Sequence, residues 1–269
     1  MTESPVKVAI LDLYDNHPNQ GMRCIKEIIE EHNLPYTVYD VRAKYEIPAL
    51  DYDIFISSGG PGNPLVGDGV WEKQYFALID SLNEHNSKSG TKKKYVFFIC
   101  HSFQMVMHHF RLANVTQRKS PSFGVLPVHK TQEGLKEKIL ENLNEPFYIV
   151  DSRDFQIVEP NRDRMHQMGA SILCIEKERH HVPLERAIMC VRFNDYFIGT
   201  QFHPEADVKG MIVHYKNPEK VKQTIEAYGE EKYIAMIEGL NDAEKIKKTH
   251  SEILPNFLKL CLEELSLVK

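Results

Sequence analysis

The sequence predicts an α/β protein, a single domain over residues 1–269 with a central, mostly parallel sheet flanked by helices and a helical insertion near its C-terminal end. Three observations carry this. Short apolar runs alternate with helical patterns up to about Ala113, which is how a parallel sheet covered on both faces reads. From Val115 to Phe202 strand-like runs follow one another with short connections, so pairing there turns antiparallel. After Glu205 the composition is helical almost to the end.

The first strand is VKVAILDL, Val6 to Leu13. Gln20 to His32 repeats apolar residues at helical spacing. YTVYDV and DIFISS read as strands, Val70 to Asn86 as a helix, and YVFFIC as a short buried strand leading into a helix from Ser102 to Ala113. FGVLPVHK, FYIVDS, SILCIE, AIMCVRF and YFIGTQF are further strands. Asn194-Asp195 between the last two suits a hairpin turn. Pro218 to Gly229 and Glu230 to Leu240 have helical composition, and Gly229 suits a helix stop.

Composition narrows the function. The net charge is -5, which argues against nucleic acid or an anionic membrane as main partner. No stretch has the apolar length to span a bilayer, and MTESPVKVAILDL lacks the pattern of a secretory signal. The five cysteines are scattered, with no CxxC. That pattern suits a reducing, cytoplasmic compartment and gives no zinc signature. His108-His109 and His180-His181 are adjacent pairs that do not face one another, so neither reads as a metal site. Lys92 to Lys94 reads as a solvated loop, and Trp71, the one tryptophan, as packing.

Three segments carry chemistry. At Phe98-Ile99-Cys100-His101-Ser102-Phe103-Gln104 a buried strand ends in a cysteine and a helix begins at once. A nucleophile on such a turn is lifted clear of the sheet, and the helix N-terminus helps hold its thiolate. The N–H of His101 is then placed to stabilise an oxyanion. A buried structural cysteine fits this segment alone equally well. In Gly199-Thr200-Gln201-Phe202-His203-Pro204-Glu205, residues two apart in extended chain point the same way. Pro204 favours extended backbone at His203. A carboxylate beside an imidazole fixes its tautomer and supports it as a base; a polar strand end is the plain alternative. Ser57-Ser58-Gly59-Gly60-Pro61-Gly62 is a loop whose glycines let backbone N–H groups meet an oxyanion, or an ordinary turn. No GK[ST] follows, so it is not a P-loop.

Together, in this order, these segments resemble the class I glutamine amidotransferase domain, whose motifs read SGGPG, G-x-C-x-G-x-Q and G-x-Q-F-H-P-E. The similarity runs from Val6 to about Glu205 and is nearest to free-standing relatives of the glutaminase domain of GMP synthase. It departs at the cysteine turn, where Phe98 and Ser102 stand in place of both glycines. It departs again near Asp151-Ser152, where family members often carry a histidine.

The resemblance implies a glutaminase with a catalytic triad of Cys100, His203 and Glu205 that hydrolyses the glutamine side-chain amide through a Cys100 thioester. It further implies an oxyanion hole from the N–H groups of Gly60 and His101. Gln104, Ser122 and Phe123 would be substrate contacts, with backbone contacts from Ser120 to Phe123. No cofactor and no metal are expected. The 64 residues after Glu205 are too few for a synthetase domain, so a separate synthetase subunit is the expected partner, and a homo-oligomer stays open. A stand-alone γ-glutamyl hydrolase or peptidase is the alternative, followed by a non-catalytic binding protein on the same scaffold. The helical insertion at about 206–250 is expected beside the triad, ahead of a closing helix at Ile253 to Leu258.

Overall fold

The computed structural model describes residues 5–178 and 185–267, with the backbone alone at 243 and 244. His180-His181 lies outside the described residues.

Nine strands form one sheet. They are β1 (Val8–Asp12), β2 (Tyr36–Asp40), β3 (Ile54–Ser57), β4 (Tyr95–Ile99), β5 (Asn114–Lys130), β6 (Phe147–Val158), β7 (Ser171–Glu176), β8 (Ile188–Arg192) and β9 (Phe197–Thr200), in the order β2-β1-β3-β4-β9-β8-β7-β5-β6. β2, β1, β3, β4 and β9 pair in parallel. From β9 outward through β8, β7, β5 and β6 all pairing is antiparallel. The change of texture expected after Ala113 is this change of pairing.

The parallel strands read as continuous apolar runs because both faces are covered. On one face lie α1 (Gly21–Glu31) and α8 (Ala243–Leu267), which contribute Ile25, Ile28, Ile253 and Leu258 to a core with Ile10, Ile56 and Phe97. On the other lie α2 (Trp71–Ser87) and α3 (His101–His109), with Tyr75, Leu82, Phe103 and Val106 packed on Leu11, Phe55 and Phe98. Met22, Ile25 and Ile29 on α1 show how helical spacing delivers one apolar stripe to the sheet.

Some elements differ from the sequence reading. α3 begins one residue earlier, at His101, and stops at His109. β5 starts at Asn114, well before FGVLPVHK, and carries an irregularity between Gln117 and Ser122. The polar run TQRKSPS hides its first half. The short helix α4 (Arg162–Met168) was not anticipated; Asn161 caps it by accepting from Arg164 N (3.1 Å). Beyond Glu205 come α5 (Val208–Lys216), α6 (Pro218–Tyr228) and α7 (Glu230–Asn241). The closing helix α8 is continuous from Ala243, so residue 250 falls inside it rather than at a boundary. Tyr215, Met236 and Leu240 pack on Phe123 and Val150 as a third, smaller core.

Candidate active site

β4 ends at Ile99, and Cys100 turns the chain into α3 with φ 48° and ψ -97°. A side chain rarely adopts positive φ, so the turn is strained and must be held. Cys100 N donates to Thr200 O (2.7 Å), and Cys100 O accepts from Gln104 N (3.0 Å). Ser102 contributes the rest. Its hydroxyl accepts from Ile99 N (2.9 Å) and lies 2.9 Å from Ser57 O, tying the turn to the end of β3. A glycine at 102 could do none of this.

Phe98 stands directly across from Gly199 in the β4–β9 pairing. A Cβ at Gly199 would lie 2.7 Å from Phe103 Cδ2 and 2.9 Å from Phe98 O. The space a glycine at 98 would leave is instead left by Gly199, and the Phe98 ring packs edge-on against Phe193 and Phe197.

The chain leaves β9 through Gln201 and Phe202 to His203, whose N donates to Val150 O on β6 (3.1 Å). His203 Nδ1 is 2.8 Å from Glu205 Oε1, the two side chains projecting together as extended chain requires. Glu205 is buried, and its Oε2 has no partner among the described residues. Burial pulls the His203 pKa down. The charges of Glu205 and Cys100 and hydrogen bonds to both outweigh it, holding the imidazole well above its ordinary value. Cys100, His203 and Glu205 therefore come together in one place.

The three share a cavity of about 390 Å³ with Gly60, His101 and Gln104. The glycine loop is fixed by Arg42, a residue the sequence did not single out. Its guanidinium donates to Pro61 O (2.7 Å) and Leu13 O (3.2 Å) and lies over the Trp71 ring (5.1 Å). Gly59 must lack a side chain, since a Cβ there would come within 2.9 Å of His203 Cε1. Gln104 lines the cavity, yet its amide already donates to Gln201 Oε1 (3.1 Å) and Phe155 O (3.3 Å), while Gln201 Nε2 lies 3.7 Å from Cys100 Sγ. Burial, with the Arg42 charge nearby, pushes the His101 imidazole down to about 3. It is neutral at any working pH.

Ser122 and Phe123 do not line this cavity; their partners on β6, Ser152 and Arg153, do. Ser122 Oγ donates to Asp151 Oδ2 (2.6 Å), and Phe123 stacks on Tyr228 (4.5 Å between centroids, 5° between planes). The helices after Glu205 cover Phe123 and supply Met211, His214, Tyr215 and Tyr228 to the cavity wall. His250 of α8 closes the arrangement from behind, its Nδ1 2.9 Å from Glu205 O. A histidine inside a long helix gives no sequence signal of that role.

His109 stacks on Phe76 and bonds Asp80 (2.8 Å). Lys92 and Lys94 pair with Asp53. No helix among the described residues is long and apolar enough to cross a membrane.

The family model for class I glutamine amidotransferases matches residues 10–219. A glutamine amidotransferase from Thermotoga maritima has the same fold, with a TM-score of 0.71 at 18% identity over 97% of this chain and 100% of that one. A putative GMP synthase component from Thermoplasma acidophilum, the smaller glutaminase-type chain by its length, gives 0.62 at 15% over 98% of each. The Trypanosoma brucei CTPS glutaminase domain with bound acivicin gives 0.54 at 13% over 74% of this chain and 86% of that one. No curated protein matches by sequence. The match across residues 10–219, together with the shared fold, makes this chain a member of the class I glutamine amidotransferase family.

Proposed function

We propose that the protein hydrolyses the side-chain amide of glutamine at Cys100 and passes the ammonia to a separate synthetase subunit. The observation that supports it is the alignment of Glu205 Oε1 with His203 Nδ1 (2.8 Å) beside a cysteine held at positive φ on a strand-to-helix turn. The likeness to a protein described as one subunit of a GMP synthase favours a synthetase partner.

In this reading the Cys100 thiolate attacks the γ-carboxamide carbon while His203 holds the proton. The oxyanion that forms is met by the N–H groups of Gly60 and His101, which act where charge develops. The C–N bond then breaks as the His203 imidazolium gives its proton to the leaving nitrogen, releasing ammonia and leaving a γ-glutamyl thioester. Water adds to the thioester with His203 as base, glutamate leaves, and the Cys100 sulfur is restored. Glu205 keeps the imidazole in one tautomer and stabilises its charged form. Gln104 supplies a contact to the substrate from the cavity wall. His101 stays neutral and takes no proton.

The second reading, a stand-alone hydrolase of γ-glutamyl amides or peptides, draws on the helical wall of Met211, His214, Tyr215 and Tyr228. Such a wall gives the cavity an apolar and aromatic side that could face a larger amide substituent. Steady-state hydrolysis of glutamine and of γ-glutamyl dipeptides by the purified protein separates the two. Cys100→Ser should abolish turnover with the fold intact, because a hydroxyl is a far weaker nucleophile at neutral pH. Activity retained in that variant beyond a small fraction would remove Cys100 from the mechanism.

A further inference from the structure

Tyr14 follows β1 and lines the same cavity. Its backbone is held by Asp12, whose Oδ1 accepts from Tyr14 N (2.9 Å), and by His17, whose N donates to Tyr14 O (2.9 Å) and whose Nδ1 lies 3.0 Å from that oxygen. The ring leans on the core beneath α1 and α8.

The hydroxyl ends where two glycines leave room for it. A Cβ at Gly21 would collide with the Tyr14 oxygen, and the same point is 3.1 Å from Glu205 Oε1. A Cβ at Gly59 would lie 3.2 Å from the Tyr14 oxygen, 2.9 Å from His203 Cε1 and 3.7 Å from Cys100 Cβ. One phenol oxygen thus borders all three residues of the proposed triad. It makes no hydrogen bond to any described protein group, and Glu205 Oε2 is likewise without a partner. The phenol keeps its proton. Burial and the negative charges of Glu205, Cys100, Asp12 and Cys24 around it push its pKa well above the ordinary value.

We infer that Tyr14 is a positioning residue of this site, its neutral O–H turned toward the negative charge carried by Cys100 and Glu205 so as to sustain the nucleophile. The inference rests on the proposed roles of Cys100, His203 and Glu205. A dipole of this kind, fixed before the reaction, stabilises an anion without reorganising. A hydrogen bond to a charged group contributes more than a neutral one.

The test is Tyr14→Phe in the full chain, which removes one oxygen and keeps the ring. Two readouts are needed, the pH dependence of Cys100 alkylation by iodoacetamide and steady-state glutamine hydrolysis. The alkylation midpoint should move up by about one pH unit, and kcat should fall about tenfold with KM unchanged. A folded Tyr14→Phe protein with an unmoved alkylation profile overturns the inference, whatever its turnover. The proposed function fails differently, through wild-type protein that hydrolyses no γ-glutamyl amide, and the alkylation profile still reports on Tyr14 in that event. Should Tyr14→Phe not fold, 3-fluorotyrosine at position 14 keeps the ring and strengthens the donor. It should lower the midpoint, and no shift there also overturns the inference.

Discussion

Phe98 of β4 and Gly199 of β9 face each other across the parallel pairing at the centre of the sheet, one filling the space that the other leaves. The cysteine turn begins two residues beyond Phe98. Its strained φ is maintained by a hydrogen bond to Thr200, the residue after Gly199. Packing and site geometry are therefore coupled through one pair.

Gly199→Ala should destabilise the fold by about 1–3 kcal/mol, the usual range for overpacking a filled core. The added methyl meets backbone at Phe98 O (2.9 Å) as well as the Phe103 ring (2.7 Å), so side-chain repacking can relieve only part of it. Urea unfolding measures the change. Activity should fall as well, because the displaced strand carries Thr200 O away from Cys100 N.

Glu205→Gln keeps the shape of the site and removes a charge. Glu205 is one of the groups that raise the His203 pKa against burial, so its loss must lower that pKa. The imidazolium, followed by NMR, should persist to higher pH in the wild type than in Glu205→Gln. Cys100→Ser should lower it too, since Cys100 acts in the same direction. Turnover by Glu205→Gln should drop by about 10²–10⁴-fold, as for other carboxylates that orient a catalytic histidine. A His203 titration indifferent to both substitutions would contradict the electrostatic account.

His101 bears on stability rather than chemistry. Its folded pKa of about 3 lies below the unfolded value near 6.5. Above pH 6.5 neither state binds the proton, and the full contribution is present. As pH falls from 6.5 toward 3 the unfolded chain takes up a proton that the native state refuses, and stability drops by about 1.4 kcal/mol per pH unit. His101→Gln removes this term. Between pH 6.5 and 5 the unfolding free energy of His101→Gln should fall less steeply than that of the wild type. Parallel slopes would show that His101 accepts a proton while folded.

The fold and the meeting of Cys100, His203 and Glu205 were legible because each is written in local sequence. Apolar runs mark buried strands, and the two-residue spacing of His203 and Glu205 fixes a common direction. What surrounds them is set by contacts distant in sequence. Arg42 reaches Pro61, His250 reaches Glu205, and Tyr14 lies beside Gly59; no periodicity reports such pairs. Ser122 and Phe123 were misplaced for the same reason. Their strand was identified, but the neighbouring strand β6 presents Ser152 and Arg153 to the cavity. The covering of Phe123 by Tyr228 depends on how α6 folds back over β5.

The helices that follow Glu205 are expected to govern which substrates reach Cys100. The chain passes from Glu205 into α5 within three residues, with Asp207 capping that helix and accepting from Gly210 N (3.1 Å). Arg23 of α1 pairs with the same carboxylate, fastening the start of α5 beside the cavity. At the far end of α6, Tyr228 stacks on Phe123 and lines the cavity. Tyr228→Ala removes this wall at a point where the remaining contacts, Tyr215 on Phe123 (5.4 Å) and Met236 and Leu240 in the small core, still hold the helices. The variant should lose about 1–3 kcal/mol of stability, as expected for an aromatic stack and its burial. It should also accept bulkier γ-glutamyl amides, with kcat/KM for a γ-glutamyl anilide rising about tenfold relative to glutamine. Replacing Val208 to Leu240 with a short Gly/Ser linker should carry the same change further and alter the assembly state. If the shortened protein stays folded and keeps its substrate range, rate and assembly state, these helices only cover the third core, and selection of the substrate lies with the loop at Gly60 and the strand at Ser152.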